Sequence, residues 1–222
     1  MRKKGVVFDF DGTLIDSTTE GVERCCRIAH LQGLDVNDEI KKKIKSLWGK
    51  TGLDLIQACW PGMDAEHFID TWEYYDAKHP LPLFPHTREA LDLLVSKHNV
   101  TLSILTSRRH STHAQLNFHG LHSLFTFIYT LGDCPLPKPH PSSIASLIKD
   151  YERHGTTKDH LVIVGDSIYS DYPLALQVKI DFIGVTWGHS AKEDFIRAGL
   201  KEKYILDSMT ELLPLIEQWQ DS

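Results

Sequence analysis

Two aspartates near the N-terminus have the spacing and the setting of catalytic groups. Asp9 and Asp11 end a short apolar run, and the turn-forming pair Gly12-Thr13 follows directly. Burying two carboxylates beside a hydrophobic strand is costly unless something compensates the charge. A cation is the simplest compensation, and one carboxylate could then bind metal and attack an electrophile while the other moves protons. We therefore take this pair as the first candidate for a functional site.

Three further polar motifs follow apolar runs later in the chain. They are Thr106-Ser107-Arg108, Lys138-Pro139-His140-Pro141, and Gly165-Asp166-Ser167 with Asp171. Open parallel sheets bind ligands beyond the carboxyl ends of their strands, so motifs in this position converge. Each motif alone is a weak signal, because threonine and aspartate in such places usually cap a turn or a helix. Together with the first aspartate pair, they predict a single site.

The apolar runs that precede these motifs predict a parallel sheet. After the first run, at Val6–Phe8, five others follow: Val100–Leu105, Phe125–Leu131, Leu161–Val164, Phe182–Trp187 and Tyr204–Leu206. They are nearly continuous rather than alternating, which is typical of strands covered on both faces. Helical segments lie between them, at Thr87–Lys97, His110–His119, Pro141–Arg153, Tyr172–Val178, Lys192–Ala198 and Thr210–Trp219. This alternation predicts an α/β fold with a doubly wound parallel sheet.

The stretch between about Ile15 and Pro82 breaks the alternation. It lacks a convincing strand, and its periodicity predicts helices at Val22–Leu31, Asp38–Trp48, Leu53–Cys59 and Ala65–Lys78. The first of these follows Ser17-Thr18-Thr19-Glu20, which has capping-box spacing. We expect a small helical domain at residues 15–82, inserted into a core made of residues 1–14 and 83–222.

The composition is that of a soluble globular protein. The 222 residues are 41% hydrophobic and 24% charged, and the net charge of −6 argues against a nucleic-acid partner. Asp9 interrupts the first apolar run, and no stretch approaches the roughly 18 apolar residues of a membrane span, so we expect neither a signal peptide nor a membrane partner. The four cysteines show no Cys-x-x-Cys spacing, which favours inert thiols in a reducing cytoplasm.

With these motifs in place, the chain resembles the haloacid dehalogenase superfamily, in the branch that has a helical cap after the first strand. The motifs that carry the resemblance are FDFDGTLIDS, ILTSR, KPHP and VGDSIYSD, in that order. The stretch from Gly184 to His189 is also similar to members related to phosphoglycolate phosphatase. One departure is Val178-Lys179, where the family often has Ala-Gly. The resemblance covers nearly the whole chain and implies a Rossmann-like core with an inserted cap.

The resemblance further implies a Mg²⁺-dependent phosphatase that acts on a small phosphorylated metabolite. Asp9 would be the nucleophile that forms an aspartyl-phosphate, and Asp11 would be the general acid and base. Thr106 would donate its hydroxyl to a phosphoryl oxygen, and Lys138 would neutralise the nucleophile and the phosphoryl group. The implied Mg²⁺ ligands are Asp9, the backbone carbonyl of Asp11, Asp166 and, directly or through a water, Asp171.

The remaining expected contacts concern the substrate. We expect Gly12, Thr13, Ser107 and Arg108 at the binding pocket, although Arg108 could equally begin a helix. The loop Gly49-Lys50-Thr51-Gly52 resembles the family's cap specificity loop. Lys50 could meet a carboxylate or a second phosphate there, and a solvated loop lysine is an equally good interpretation. On resemblance alone, 2-phosphoglycolate is the first substrate candidate.

Three alternatives remain open at this level. A phosphosugar mutase of the same superfamily would share Asp9 and Asp11, and a nucleotide or pyrophosphate phosphatase would share the whole motif set. A non-catalytic binding protein on this fold is the third, because folds do not fix functions. Dehalogenation is disfavoured, because that branch lacks the second acid. We expect a monomer or a weak homodimer.

Overall fold

A six-stranded parallel sheet forms the centre of the molecule. The computed structural model describes residues 4–49, 51–98 and 100–221. The strands are β1 (Lys4–Phe8), β2 (Val100–Leu105), β3 (Phe125–Tyr129), β4 (Leu161–Gly165), β5 (Asp181–Val185) and β6 (Ile205–Leu206). They are ordered β3-β2-β1-β4-β5-β6, and every neighbouring pair is parallel. The predicted α/β class and parallel sheet are confirmed.

Four helices follow β1, where the sequence predicted helices. They are α1 (Ser17–Leu31), α2 (Asp38–Leu47), α3 (Gly52–Cys59) and α4 (Ala65–Lys78), and we call them the helical insert. Each begins after a residue whose side chain accepts a backbone N–H of the first turn: Asp16, Asn37, Thr51 and Asp64. The insert has its own apolar cluster, which includes Ile28, Ile44, Ile56 and Phe68. The limits 15 and 82 proposed for this domain stay a prediction.

Six further helices cover the two faces of the sheet. They are α5 (Thr87–His98), α6 (Thr112–Phe118), α7 (Ala145–Arg153), α8 (Asp171–Val178), α9 (Lys192–Arg197) and α10 (Leu212–Asp221). Val6 and Phe8 pack in the apolar cluster of one face, and Val7 packs in that of the other. Within the described ranges, no helix has the length and apolar character to cross a membrane.

The strand order brings the predicted site residues together. The order in which strands are added reverses beside β1. The chain adds β2 and β3 on one side of β1, and then β4, β5 and β6 on the other. Asp9, just beyond β1, donates its backbone N–H to the carbonyl oxygen of Val164 in β4 at 2.9 Å. The residues that follow β1, β2 and β4 therefore share one edge, the switch point at which such sheets bind ligands.

Several element boundaries differ from those predicted. The strand predicted to reach Leu131 ends at Tyr129, because residues 131–133 form a 3₁₀ turn closed by Thr130 and Asp133. The strand predicted to reach Trp187 ends at Val185, and the helix predicted from His110 begins at Thr112. Lys179 ends α8 in the left-handed conformation, with φ 54° and ψ 53°. A lysine thus occupies the turn position at which the related family often has glycine.

Candidate active site

Three buried carboxylates converge at the switch point. Asp9 follows β1, Asp166 follows β4, and Asp171 begins α8; one oxygen of each lies within 4.8 Å of the others. We call these three residues the carboxylate cluster. The ammonium group of Lys138 lies 2.7 Å from Asp9 Oδ1 and 2.7 Å from Asp171 Oδ1. Lys138 is itself buried, so a single cation is enclosed with three acids.

The pKa values of this group reflect an excess of negative charge. Burial, together with the nearby Asp171 carboxylate, raises the pKa of Asp9 to about 7. Burial and the same kind of repulsion also raise the pKa of Asp166 well above its ordinary value. Burial disfavours the charged form of Lys138, but Asp171 and Asp9 outweigh it and hold the pKa of the ammonium above its usual range. The cluster is therefore short of positive charge.

The carboxylate cluster fits a divalent cation. Hard carboxylate oxygens are the donors that Mg²⁺ prefers, and among the described residues these three acids can meet on one ion. Two glycines leave room for Asp166: a Cβ at Gly12 would lie 2.1 Å from its Oδ2, and one at Gly188 would lie 2.3 Å from the same atom. A side chain at either glycine would displace the Asp166 carboxylate. The predicted carbonyl ligand from Asp11 stays a prediction.

Asp11 has a different environment, although it lies two residues from Asp9. Nε and Nη2 of Arg108 each donate to one oxygen of Asp11, both at 2.7 Å. Burial raises the pKa of the Asp11 carboxyl, but the charge and hydrogen bonds of Arg108 outweigh it, and the net pKa lies below the ordinary value. Asp11 is thus held as a carboxylate by a fork of two hydrogen bonds.

The Arg108 contact continues into the helical insert. Nη1 of Arg108 donates to Asp76 Oδ2 at 2.9 Å, and Arg24 donates to the other Asp76 oxygen at 2.7 Å. Arg24 also pairs with Glu20 at 2.8 Å. We call this chain the ion-pair network; its members are Asp11, Arg108, Asp76, Arg24 and Glu20. It leads from the switch point through α4 to α1.

The other predicted site residues differ in burial and in hydrogen bonding. Thr106 is buried, and its hydroxyl oxygen accepts the backbone N–H of Arg108 at 3.2 Å, so its own proton is available to a ligand. Thr13 is fully buried and its hydroxyl has no hydrogen-bond partner among the described residues. Ser107 is exposed. The arginine that we expected to contact substrate, Arg108, is instead engaged by Asp11 and Asp76 in this structure.

An open cleft of about 940 Å³ lies along α1 and α2, and His189 is part of its lining. Basic side chains outnumber acidic ones there: Arg27, Lys41 and Lys45 line the cleft with Glu23. The backbone N–H of His189 donates to Asp166 at 2.7 Å, which joins the cleft to the carboxylate cluster. A Cβ at Gly49 would lie 2.3 Å from the His189 ring, so the loop after α2 reaches the same point. Lys50, predicted to act from this loop, lies outside the described residues.

The comparison with protein-family models decides the family. Residues 6–185 match the model described as haloacid dehalogenase-like hydrolase, which is more than three quarters of the chain. The chain belongs to this family. The matched range includes every residue of the carboxylate cluster and of the ion-pair network.

Relatives of this hydrolase bear phosphatase names. It is 28% identical to a phosphoglycolate phosphatase from Yersinia pestis, over 96% of this chain and 93% of that one. It is 24% identical to the pyrophosphatase PpaX of Oceanobacillus iheyensis, over 97% of this chain and 98% of that one. A solved hydrolase of the haloacid dehalogenase-like family from Streptococcus pneumoniae has the same fold, with a TM-score of 0.76 at 22% identity and coverage of 96% and 98%.

Sequence reasoning missed the residues that this hydrolase draws from its helical insert. Glu73 and Asp76, one turn apart on α4, are both buried against the loop that follows β2. Their spacing on a polar helix is equally typical of solvated acids, so the sequence offered no sign of burial. Arg24 was missed for the same reason. The contacts of these residues with one another's elements and with the loop after β2 join positions more than 30 residues apart in the chain, beyond the reach of any local pattern.

Proposed function

We propose that this hydrolase is a Mg²⁺-dependent phosphatase that works through an aspartyl-phosphate on Asp9. The carboxylate cluster carries the proposal: three buried acids share one lysine at the strand ends where this fold binds ligands. Buried acids that outnumber the cations beside them are stabilised by a bound positive ion, and the same ion stabilises an anionic phosphate monoester. The cation would therefore serve both the fold and the substrate.

Asp9, Asp166 and Asp171 would hold the Mg²⁺. When bound, the ion supplies charge neutralisation and alignment of the phosphoryl group. Lys138 adds a second, permanent positive charge, which lies 2.7 Å from Asp9 Oδ1. An anionic nucleophile would otherwise repel its anionic substrate, so this compensation is the first requirement of the reaction.

In the first step, a carboxylate oxygen of Asp9 attacks phosphorus. The bond from Asp9 to phosphorus forms while the bond from phosphorus to the leaving oxygen breaks. Asp11 is a carboxylate beside Arg108 in this structure, so it must carry a proton in the substrate complex to give that proton to the leaving oxygen. Thr106 donates its hydroxyl proton to a phosphoryl oxygen, since its own oxygen already accepts the backbone N–H of Arg108.

In the second step, water attacks the phosphorus of the aspartyl-phosphate. Asp11, now ionised, takes a proton from this water, the bond from phosphorus to Asp9 breaks, and inorganic phosphate leaves. Arg108 favours the ionised form of Asp11 that this step needs. Together, the two steps return Asp9 to its carboxylate form and Asp11 to the protonated form in which the first step began.

The cleft and the relatives' names support a proposal for the substrate class. A cleft lined by basic side chains suits a leaving group that carries its own negative charge, and 2-phosphoglycolate has a carboxylate in this place. Pyrophosphate, whose leaving group is a phosphate, is the second candidate, because one relative is a named pyrophosphatase. We therefore place 2-phosphoglycolate first and pyrophosphate second.

The test measures inorganic phosphate released from p-nitrophenyl phosphate, 2-phosphoglycolate and pyrophosphate, with Mg²⁺ and with a chelator. We expect turnover only with Mg²⁺, and a loss of about 10⁴-fold or more in Asp9→Asn. Asp159→Asn makes the same chemical change at an exposed position before β4, at the opposite edge of the sheet, and should keep full activity.

Folded protein that releases no phosphate from a broad panel of esters would contradict the proposal, as would an active Asp9→Asn variant. Net phosphate release also separates this function from the mutase alternative. A mutase would convert a sugar 1-phosphate to its 6-phosphate with the phosphate retained. A binding protein would show no Asp9-dependent turnover at all.

A further inference from the structure

Arg108 is a buried guanidinium with most of its N–H groups engaged. Four of its five N–H groups have acceptors: two on Asp11, one on Asp76 and one on the hydroxyl of Ser111. The Asp11 contacts form a parallel fork, with both distances at 2.7 Å. This geometry fixes the plane of the Asp11 carboxylate, which a single-point contact would leave free to turn.

Two acids of the helical insert hold Arg108 in this position. Asp76 accepts from its Nη1, and Glu73, one turn earlier on α4, accepts the backbone N–H groups of Arg109, His110 and Ser111 at 2.6, 2.7 and 3.0 Å. The loop after β2 is thereby attached to α4 through both its side chain and its backbone. Arg108 cannot move relative to Asp11 without breaking contacts to the insert.

The position of an acid/base group decides its efficiency. Proton transfer requires a carboxyl oxygen aimed at the leaving oxygen, and an error of about 1 Å in such a group can lower a rate by roughly 100-fold. Asp11 is more than a third exposed on its side chain and follows a strand end, so packing alone does not fix its orientation. The two hydrogen bonds from Arg108 fix this orientation.

We propose that Arg108 is a positioning residue that aligns the acid/base Asp11 with the leaving group, and that Asp76 carries this alignment into the helical insert. The inference rests on the proposed function. It assigns Arg108 an effect that passes through Asp11, in place of a direct contact with substrate. The insert then contributes to the chemical step as well as to the shape of the cleft.

The test compares two esters that differ in their need for an acid. An alkyl phosphate has a poor leaving group and needs protonation, whereas p-nitrophenolate leaves with little help. We expect Arg108→Met to lower kcat/KM for glycerol 2-phosphate, the alkyl ester used, by about 100-fold, within the usual range for acid catalysis, and for p-nitrophenyl phosphate by less than about tenfold. A general structural defect would lower both equally.

Companion variants separate alignment from charge. Arg108→Lys keeps the charge without the fork and should fall between wild type and Arg108→Met in the alkyl-to-aryl ratio. Asp76→Asn should shift the ratio in the same direction by a smaller factor. Arg109→Met is the matched control: Arg109 pairs with Glu66 and Asp70 of α4 and does not contact Asp11, so the ratio should be unchanged.

A double variant tests the route through Asp11. In the Asp11→Asn background, Arg108→Met should lower alkyl phosphatase activity by no more than about twofold, because the group that it aligns is already disabled. An additive loss, or an equal fall for both esters, overturns the inference. If Arg108→Met does not fold, an unchanged ratio in both Arg108→Lys and Asp76→Asn overturns it as well. Absence of wild-type turnover on both esters and on every other ester of the panel contradicts the proposed function instead.

Discussion

The carboxylate cluster and the ion-pair network are two acid-rich groups that begin two residues apart and have opposite electrostatics. In the cluster, three carboxylates share Lys138, and the pKa of Asp9 is raised to about 7. In the network, arginines alternate with acids, and the pKa of Asp11 is lowered. Burial acts on both, so the difference comes from the number and geometry of the cations. The carboxylate cluster has fewer cations than acids, whereas each acid of the ion-pair network is paired with an arginine.

This contrast explains how neighbouring aspartates acquire different roles. Under the proposed function, Asp9 as nucleophile would need its charge compensated, by Lys138 and by a metal ion, whereas Asp11 as acid and base would need a fixed direction. Arg108 supplies direction through its fork, and Lys138 supplies charge at a point. The sequence places the two acids on one turn, and the contacts of their partners distinguish them.

The largest expected effect comes from removing the one cation of the cluster. Lys138→Met keeps the volume and leaves three buried carboxylates without their lysine, so we expect the metal-free protein to lose about 3–5 kcal/mol of unfolding free energy. Urea denaturation at neutral pH measures this loss, and Mg²⁺ should restore part of it. A loss below about 1 kcal/mol would remove the basis of the comparison, because the cluster would then not depend on positive charge.

The second effect concerns the pH dependence of metal binding. The pKa of Asp9 rises from 3.8 to about 7 on folding, so the metal-free fold favours the protonated acid and loses stability as pH rises between these values. Mg²⁺ would bind the ionised form, and its affinity should therefore increase by about fivefold between pH 6 and pH 7, reach about tenfold by pH 8 and level off above that. Mg²⁺-induced shifts in Tm, measured across this range, check the prediction. A pH-independent affinity would contradict it.

The smallest effect belongs to the solvent end of the ion-pair network. Glu20 pairs with Arg24 across one helical turn, and about half of its side chain is exposed. Glu20→Gln should cost less than about 0.5 kcal/mol, because water and salt screen such pairs. Asp76→Asn, at the buried middle of the same network, is the variant to compare with it. Its loss of unfolding free energy in the same denaturation measurement should be several-fold larger. Equal losses of unfolding free energy in the two variants would mean that burial does not determine how much each ion pair of the network contributes.

Much of the site was predictable because its signals are local. Asp9, Lys138, Asp166 and Asp171 each follow or begin an element that the sequence patterns identify, and the strand order then brings them within contact. Continuous apolar runs predicted a sheet covered on both faces, and both apolar clusters are present. Element ends were less accurate: Tyr129 ends β3 because the turn that follows it is closed by a side-chain contact.

The contact between Arg108 and Asp76 was beyond prediction. Arg108 was expected at the substrate or at the start of a helix, and its structural partner lies 32 residues earlier on a helix with several exposed acids. The periodicity of the sequence predicts that α4 is a helix, but it does not indicate which of its acids contacts the core. The same limit applies to the cleft, whose lining comes from α1, α2 and the loop at His189.

The amino-acid sequence alone determined the parallel α/β class, the helices after the first strand and the four motifs at strand ends, because each depends on residues adjacent in the chain. Tertiary structure alone decided that Asp9 shares a lysine with a second carboxylate and that Asp11 is held by an arginine fork. Charge compensation depends on distances between side chains that are far apart in the chain. Asp9 and Asp11 therefore differ through Lys138 and Arg108, and these partners reach them only once the sheet and the helical insert are assembled.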